Sequence, residues 1–213
     1  MDSDELWTTI DAQRTSLADL LAGLTPEEWE QPSWCAGWRV RDVAAHLTLA
    51  QATLAVALPA LLRARGSFDR MVHDTAVVRA TAPPEELVGA IREMVGSRRR
   101  APVVTEVEPL LDVLVHGQDI ARPLGRDRPV PATAAAVAAT RAWRMGWPFW
   151  ARRRLGGVGL AATDSGWRAG AGPAGRGTTG DLLLLVTGRW QVLPRLTGPG
   201  VARLAGGAPA RRG

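Results

Sequence analysis

Several residue types and patterns are scarce in this chain of 213 residues, and each absence excludes a class of protein. The single cysteine, Cys35, excludes an internal disulfide and a zinc site built from several cysteines. No hydrophobic run approaches the roughly 18 residues that indicate a membrane-spanning helix. The acidic N-terminus, MDSDELW, lacks the apolar segment of a secretory signal. We therefore expect a cytoplasmic protein with no membrane partner.

The positive charge of the chain comes from arginine alone, because lysine is absent and all 26 basic residues are arginine. Asparagine is absent as well, whereas alanine, glycine and proline are abundant, which is typical of a GC-rich genome. The arginines are scattered apart from the runs at 98–100 and 152–154, which suit the C-terminal ends of helices. A nucleic-acid partner requires clustered basic charge, so we expect none despite the net charge of +5.

Hydrophobic periodicity predicts a mainly α protein with a small α/β part at its C-terminal end. Helical patterns cover residues 4–24, 40–65, 68–80, 83–100, 105–125 and 131–156. After residue 156 the sequence predicts two short strands around the turn at 164–166, a buried helix in TTGDLLLLV and a last strand near Val201. We assign residues 1–152 to a helical bundle and residues 153–213 to a small α/β domain, with a disordered tail from residue 206 onward.

Two of the three histidines follow an acidic residue by four positions, Asp42 before His46 and Asp112 before His116. Residues at this spacing lie on one face of a helix, where they can offer two metal ligands or a ligand and its orienting carboxylate. Helical bundles commonly hold metals between facing helices, although a histidine in an apolar helix is more often a packing residue. Both interpretations stay open, because spacing alone does not show that the two pairs face each other.

Cys35 lies in a loop eleven residues before His46, and its sequence position allows three interpretations. It could be a metal ligand, a nucleophile or a small buried hydrophobic residue, of which the last is the most common for a single cysteine. Trp34 and Trp38 flank it and either form a wall of the site or pack the loop. We expect no functional role for the third histidine, His73.

The motifs LTPEEWEQPSWCAGWRVRDVAAHL and DVLVHGQDIARPLG resemble the two signatures of the mycothiol-dependent maleylpyruvate isomerase family. The segments LAATDSGWRAGAGP, GDLLLLVTGR and LTGPG resemble the small C-terminal domain that many members carry. These motifs occur in the family's order and cover nearly the whole chain. The resemblance implies a DinB-like four-helix bundle with a small C-terminal α/β domain.

The resemblance also implies a divalent metal, commonly zinc, with His46 and His116 as ligands and the acid at position 112 completing the set. The family has glutamate where this chain has Asp112, which is one methylene shorter. Direct ligation would therefore need closer helices, or a water would bridge the carboxylate to the metal. Asp42 and Asp119 then fit best as acids that orient ligands or pack helices.

Two histidines and one carboxylate leave a coordination position open, which is typical of catalytic zinc. In the family this position receives the thiol of mycothiol, so the resemblance implies mycothiol as cosubstrate. An activated thiolate could isomerise a double bond by addition and elimination, or could attack an electrophile as an S-transferase. The second substrate is expected to be a small electrophile or carboxylate, for which Arg189 in VTGRW is a weak candidate contact. We expect a monomer or homodimer.

Two other functions remain compatible with the sequence. One is a non-catalytic helical module for binding or regulation that keeps the fold, an interpretation that the replacement of glutamate by Asp112 favours slightly. The other is a DinB-like metal-dependent hydrolase, in which water instead of a thiol occupies the open coordination position.

Overall fold

The computed structural model describes residues 1–51, 54–101 and 104–207, and the side chains of 54–57 and 207 lie outside that description. Contacts divide the chain into two compact units, Asp2–Arg128 and the residues from Pro129 onward. Most of the tail predicted to be disordered lies outside the described residues, whereas its first two residues, Gly206 and Gly207, end a helix. No helix of the described part is long and apolar enough to cross a membrane.

The first unit is helical throughout, and four of its helices form a closed bundle. Its helices are α1 (Ser3–Ala22), α2 (Pro26–Trp29), α3 (Val40–Thr48), α4 (Leu54–Arg63), α5 (Phe68–Arg79), α6 (Pro84–Glu93) and α7 (Val107–Ala121). Helices α1 and α3 each pack against both α6 and α7, while α5 packs against α3 and α4 packs against α5. The predicted four-helix bundle is therefore formed by α1, α3, α6 and α7.

Polar residues at the helix starts satisfy backbone N–H groups that have no partner within the helix. At α1 the Asp2 carboxylate accepts the Glu5 N–H over 2.9 Å, and the Glu5 carboxylate accepts the Asp2 N–H over 3.1 Å. Thr25 and Glu28 make the same reciprocal pair at α2, with Pro26 in the first turn. This arrangement is the capping box that Ser, Thr or Asp followed three residues later by Glu predicts.

The core of the bundle consists of aliphatic side chains from its four helices. Small residues of α3, Ala44 and Ala45, are completely buried and allow neighbouring helices to approach closely. The larger side chains of this cluster include Leu17, Leu21, Val40, Val43, Leu47, Leu87, Ile91, Val113 and Ile120. Their burial fixes the orientation of α3 and α7, the two helices that carry His46 and His116.

The second unit combines helices with a three-stranded sheet. Its elements are α8 (Ala132–Arg144), α9 (Ala151–Arg154), β1 (Gly159–Ala162), β2 (Arg168–Gly170), β3 (Ala174–Gly177), α10 (Thr179–Val186), a 3-10 helix (Trp190–Arg195) and α11 (Gly200–Gly207). The strand order is β2-β1-β3, with β2 antiparallel and β3 parallel to β1. The α10 helix packs against α8, β1 and β3 and is buried along its whole length.

The mainly α fold with a small α/β part is confirmed, and so are the two strands around residues 164–166 and the buried helix. The strand predicted near Val201 is wrong, because this segment forms α11 and packs against β3 with Leu204 buried. The helix predicted over 40–65 is interrupted after Thr48. Contacts group α8 with α10, so the division at Arg128 falls before the boundary expected at residue 152.

Candidate metal centre

The loop between α2 and α3 is closed by hydrogen bonds between its ends. Pro32 and Arg39 pair as an isolated antiparallel bridge. Inside this bridge the Ser33 N–H donates to the Trp38 carbonyl over 2.9 Å, and the Ser33 hydroxyl donates to the same carbonyl over 2.8 Å. The loop therefore has a defined conformation, in which Cys35 lies between two hydrogen-bonded ends.

A tight turn and a contact with α7 fix the position of Cys35. The Trp38 N–H donates to the Cys35 carbonyl over 3.0 Å, and Gly37 has a φ of +80° within this turn. A positive φ at this position is typical of a type II turn and favours glycine. The Trp34 N–H donates to the Asp119 carbonyl over 3.0 Å, which attaches the loop to α7.

Asp42 stabilises the first turn of α3 through contacts with Arg39. Its carboxylate accepts the Arg39 backbone N–H and pairs with the Arg39 guanidinium, each over 2.9 Å. Burial disfavours ionisation of this carboxyl, but the hydrogen bonds from Arg39 outweigh it and lower the pKa of Asp42. Asp42 thus fixes the start of the helix that presents His46.

His46 on α3 and His116 on α7 meet although 70 residues separate them in the sequence. Their imidazole rings pack edge to face, with centroids 4.9 Å apart and planes at 78°. Both residues are partly buried, and the His116 side chain is 15% exposed, so the pair is shielded without being sealed from solvent. The structure therefore brings together the two histidines that the sequence analysis selected.

His116 is oriented by an acid on its own helix. Its Nδ1 lies 2.9 Å from a carboxylate oxygen of Asp119, which is completely buried. Because a carboxylate accepts hydrogen bonds, this contact favours the tautomer of the neutral imidazole that carries its proton on Nδ1 and a lone pair on Nε2. A carboxylate–histidine pair of this kind typically supports a metal-ligating histidine.

Cys35 joins His116 and Asp119 in the one group of potential metal-ligating atoms found among the described residues. One such atom from each of the three residues lies within 4.8 Å of the other two. The sequence left three interpretations of Cys35 open, and the closed loop brings it to the His116 side of the bundle.

Asp112 lies one turn before His116 on α7 and lines a small cavity in the bundle. The cavity has a volume of about 20 Å³, and its other polar lining residue is Arg14 of α1. Arg14 is almost fully buried, and this burial lowers its pKa although Asp11 partly compensates. A cavity of this size has room for one water molecule.

Trp38 packs against two histidines in edge-to-face geometry. Its centroid lies 5.4 Å from that of His46 and 6.2 Å from that of His73 on α5. His73 is about half exposed, and its Nδ1 lies 3.1 Å from Asp74. Trp38 therefore covers one side of His46, as one of the interpretations of the sequence anticipated.

Arg189 follows α10 in the second unit. It is half-buried, and its guanidinium donates to the Thr187 carbonyl over 2.8 Å. Its proposed contact with a carboxylate substrate stays a prediction.

Asp119, which the resemblance suggested as an acid that orients a ligand or packs helices, lies three residues after His116 on the same helical face and contacts its Nδ1. The four-residue spacing had paired His46 with Asp42 and His116 with Asp112. Asp42 also carries the signature of an acid in the first turn of a helix, where it stabilises backbone N–H groups. The position of Cys35 depends on the loop bonds to α7, which no local spacing encodes.

The geometry defines the first unit as a helical bundle with a histidine pair at its centre, supported by a buried carboxylate. The profile of the family described as mycothiol maleylpyruvate isomerase N-terminal domain matches residues 10–121, just over half of the chain and including both histidines. The chain belongs to this family.

Solved structures extend the likeness of fold beyond the first unit. The crystal structure of a mycothiol-dependent maleylpyruvate isomerase matches with a TM-score of 0.65 and 15% sequence identity, covering 93% of each chain. The structure of a single-site mutant of such an isomerase matches with the same TM-score and coverage at 14% identity. At this identity the likeness concerns the fold. No curated protein matches the sequence.

Proposed function

We propose that the chain is a metal- and mycothiol-dependent enzyme that activates a thiol for isomerisation or S-transfer. The main support is the pairing of His46 and His116, whose rings lie 4.9 Å apart within the residues that match the family. Two imidazoles on facing helices, one of them oriented by a buried carboxylate, are a donor set that fits zinc. The residues present therefore fit the metal that the family resemblance implies.

The proposed metal-binding residues are His46, His116 and Asp112, the last either directly or through a water. The cavity of about 20 Å³ beside Asp112 can hold that water. When bound, a divalent metal such as zinc lowers the pKa of a coordinated thiol or water, so that a nucleophile exists at neutral pH.

The protein's own side chains arrange the site. Asp119 holds the proton on His116 Nδ1, so that Nε2 is available as a ligand atom. Trp38 packs on one side of His46 and limits access of water from that side. The half-buried position of both histidines leaves an approach for a small thiol.

The proposed chemistry uses the thiolate as the nucleophile. In isomerisation its sulfur adds to a carbon of an activated double bond, the resulting single bond rotates, and elimination of the thiolate restores the double bond in the other geometry. In S-transfer the sulfur instead displaces a leaving group and stays bonded to the product. The substrate of this chemistry is a small electrophile or carboxylate.

Metal analysis of the full chain, purified without a histidine tag, tests the ligand assignment. We expect wild type to hold a divalent metal and His46→Ala and His116→Ala to lose it, because each removes an imidazole donor. His73→Ala is the matched control, since it removes the remaining histidine of the chain and should keep the metal. Full metal content in His46→Ala would show that the assigned site is wrong.

Titration of the metal-loaded protein with thiol then separates the proposed enzyme from the two alternatives. Binding of a thiol as thiolate should release a proton. The measured heat of binding should then depend on the buffer that takes up this proton. A loaded protein without any thiol-dependent signal would contradict thiol dependence and favour the hydrolase. Wild type that binds no divalent metal would favour the non-catalytic module.

A further inference from the structure

Cys35 is placed for a role that the family pattern does not give it. Its potential ligand atom lies within 4.8 Å of atoms from His116 and Asp119, and the turn at Gly37 and the bond from Trp34 to α7 fix the loop around it. The thiol therefore sits beside the most firmly oriented imidazole of the site.

The distances suit a shared metal ion. Zinc–sulfur and zinc–nitrogen bonds of about 2.3 and 2.0–2.1 Å place two tetrahedral ligands about 3.5 Å apart. One ring nitrogen of His116 lies within 4.8 Å of Cys35 Sγ, so a shift of the Cys35 side chain toward His116 brings the two residues to the spacing of ligands on one metal. A loop side chain can make such a movement by a small change of rotamer.

Asp119 and Asp112 each lie in surroundings that do not favour direct ligation of the metal. Asp119 is completely buried and hydrogen-bonded to His116 Nδ1, which is the position of an orienting carboxylate. Asp112 is shorter than the glutamate of the family pattern and lines a cavity together with the buried cation Arg14. These surroundings favour a thiolate in the third direct position and a water-mediated role for Asp112.

We propose that Cys35 ligates the metal as a thiolate together with His46 and His116, in the position that the family pattern gives to glutamate. This inference rests on the proposed function, because it concerns the same metal. A Cys-His-His set still leaves one coordination position open for a substrate thiol. It also makes the site softer than a histidine–carboxylate site, which favours zinc and cobalt over magnesium or calcium.

Cobalt substitution tests the ligand directly, because a thiolate bound to Co(II) gives a sulfur-to-metal charge-transfer absorption in the near ultraviolet. We expect the band in full-length wild type loaded with Co(II) under a phosphine reductant, which avoids a competing thiol. Cys35→Ser should bind Co(II) without the band, and with an affinity reduced at least as much as the roughly 10- to 100-fold typical of losing an outer-sphere partner. Asp112→Asn is the matched control and should keep the band.

The results separate the two proposals. Wild type that binds Co(II) through His46 and His116 but shows no charge-transfer band overturns the Cys35 assignment and leaves the proposed function intact. A full-affinity Cys35→Ser variant overturns the assignment as well. Unchanged Co(II) binding in His116→Ala overturns both proposals. Cys35→Ala and circular dichroism of each variant distinguish loss of a ligand from loss of the fold. Bound metal should also slow the alkylation of Cys35 in folded wild type.

Discussion

Gly117, the residue after His116, is required by the packing of α7 and offers a sharp test of the structure. The Arg128 guanidinium covers the place that a Cβ would occupy, with Nη1 only 2.5 Å and Cζ 2.8 Å from that position. Arg128 is almost fully buried, which lowers its pKa to about 10, and its Nη2 donates to the Gln13 carbonyl over 2.7 Å. A methyl group at position 117 must therefore displace a constrained side chain.

The net effect of Gly117→Ala follows from two opposing contributions. Alanine is favoured over glycine in a helix by about 1 kcal/mol. Displacing Arg128 weakens a charged hydrogen bond worth about 1.5–3 kcal/mol and adds overpacking of about 1–3 kcal/mol. We expect the variant to lose about 2 kcal/mol of unfolding free energy, which for a chain of this size lowers Tm by roughly 4–8 °C.

The assay is thermal and urea unfolding followed by circular dichroism, with two controls. Gly89→Ala in α6 places its Cβ in open space, with no heavy atom within 4 Å, and should gain up to about 1 kcal/mol. In an Arg128→Ala background, Gly117→Ala should change from destabilising to stabilising, because the obstructing guanidinium is gone. Equal effects of Gly117→Ala in both backgrounds, or a variant as stable as wild type, would refute the packing argument.

Two further predictions concern the acids around the histidines. Asp119→Asn should lower metal affinity roughly 10- to 100-fold while the fold persists, because His116 loses its orienting carboxylate; unchanged affinity in calorimetry would contradict this role. Asp42→Asn should lower the free energy of unfolding by about 1–2 kcal/mol at neutral pH, because the charged contacts with Arg39 are lost. The pKa of Asp42 is lower in the folded state, so its stabilisation is present above the unfolded pKa of about 3.9 and is lost as pH falls through the folded value. The difference in unfolding free energy between wild type and Asp42→Asn should therefore become smaller below about pH 4, as measured by urea unfolding. A difference that does not change with pH would show that the charge of Asp42 is not its cause.

A long apolar period made α1 predictable from the sequence. Its buried residues recur from Leu6 to Leu21, over about four turns, so tertiary packing reinforces the local preference. The short strand β3, with the sequence AGRG, gave no such signal, because it lacks β-branched and aromatic residues and depends on pairing with β1. The segment of α11 has only eight residues, and its helical form depends on the burial of Leu204.

The candidate site shows a similar limit. Spacing and resemblance selected His46 and His116, and the structure brings their rings together. The partner of each acid was harder to predict from the sequence, because residues three and four positions apart on a helix are almost equally close. Asp42 pairs with Arg39 at a helix start and Asp119 pairs with His116. Only the packing of the loop against α7 determines that Cys35 lies beside His116 and Asp119.

The hydrogen-bonded ring formed by residues 32–39 has a consequence for ligand affinity. A flexible loop would lose conformational entropy when it closes on a metal or thiol, and this loss would weaken binding. Here the bridge between Pro32 and Arg39 and the bonds to Trp38 restrict the loop as the protein folds. Cys35 and Trp38 therefore meet a ligand in a preorganised state, and the entropy of ordering them is part of the free energy of folding rather than of binding.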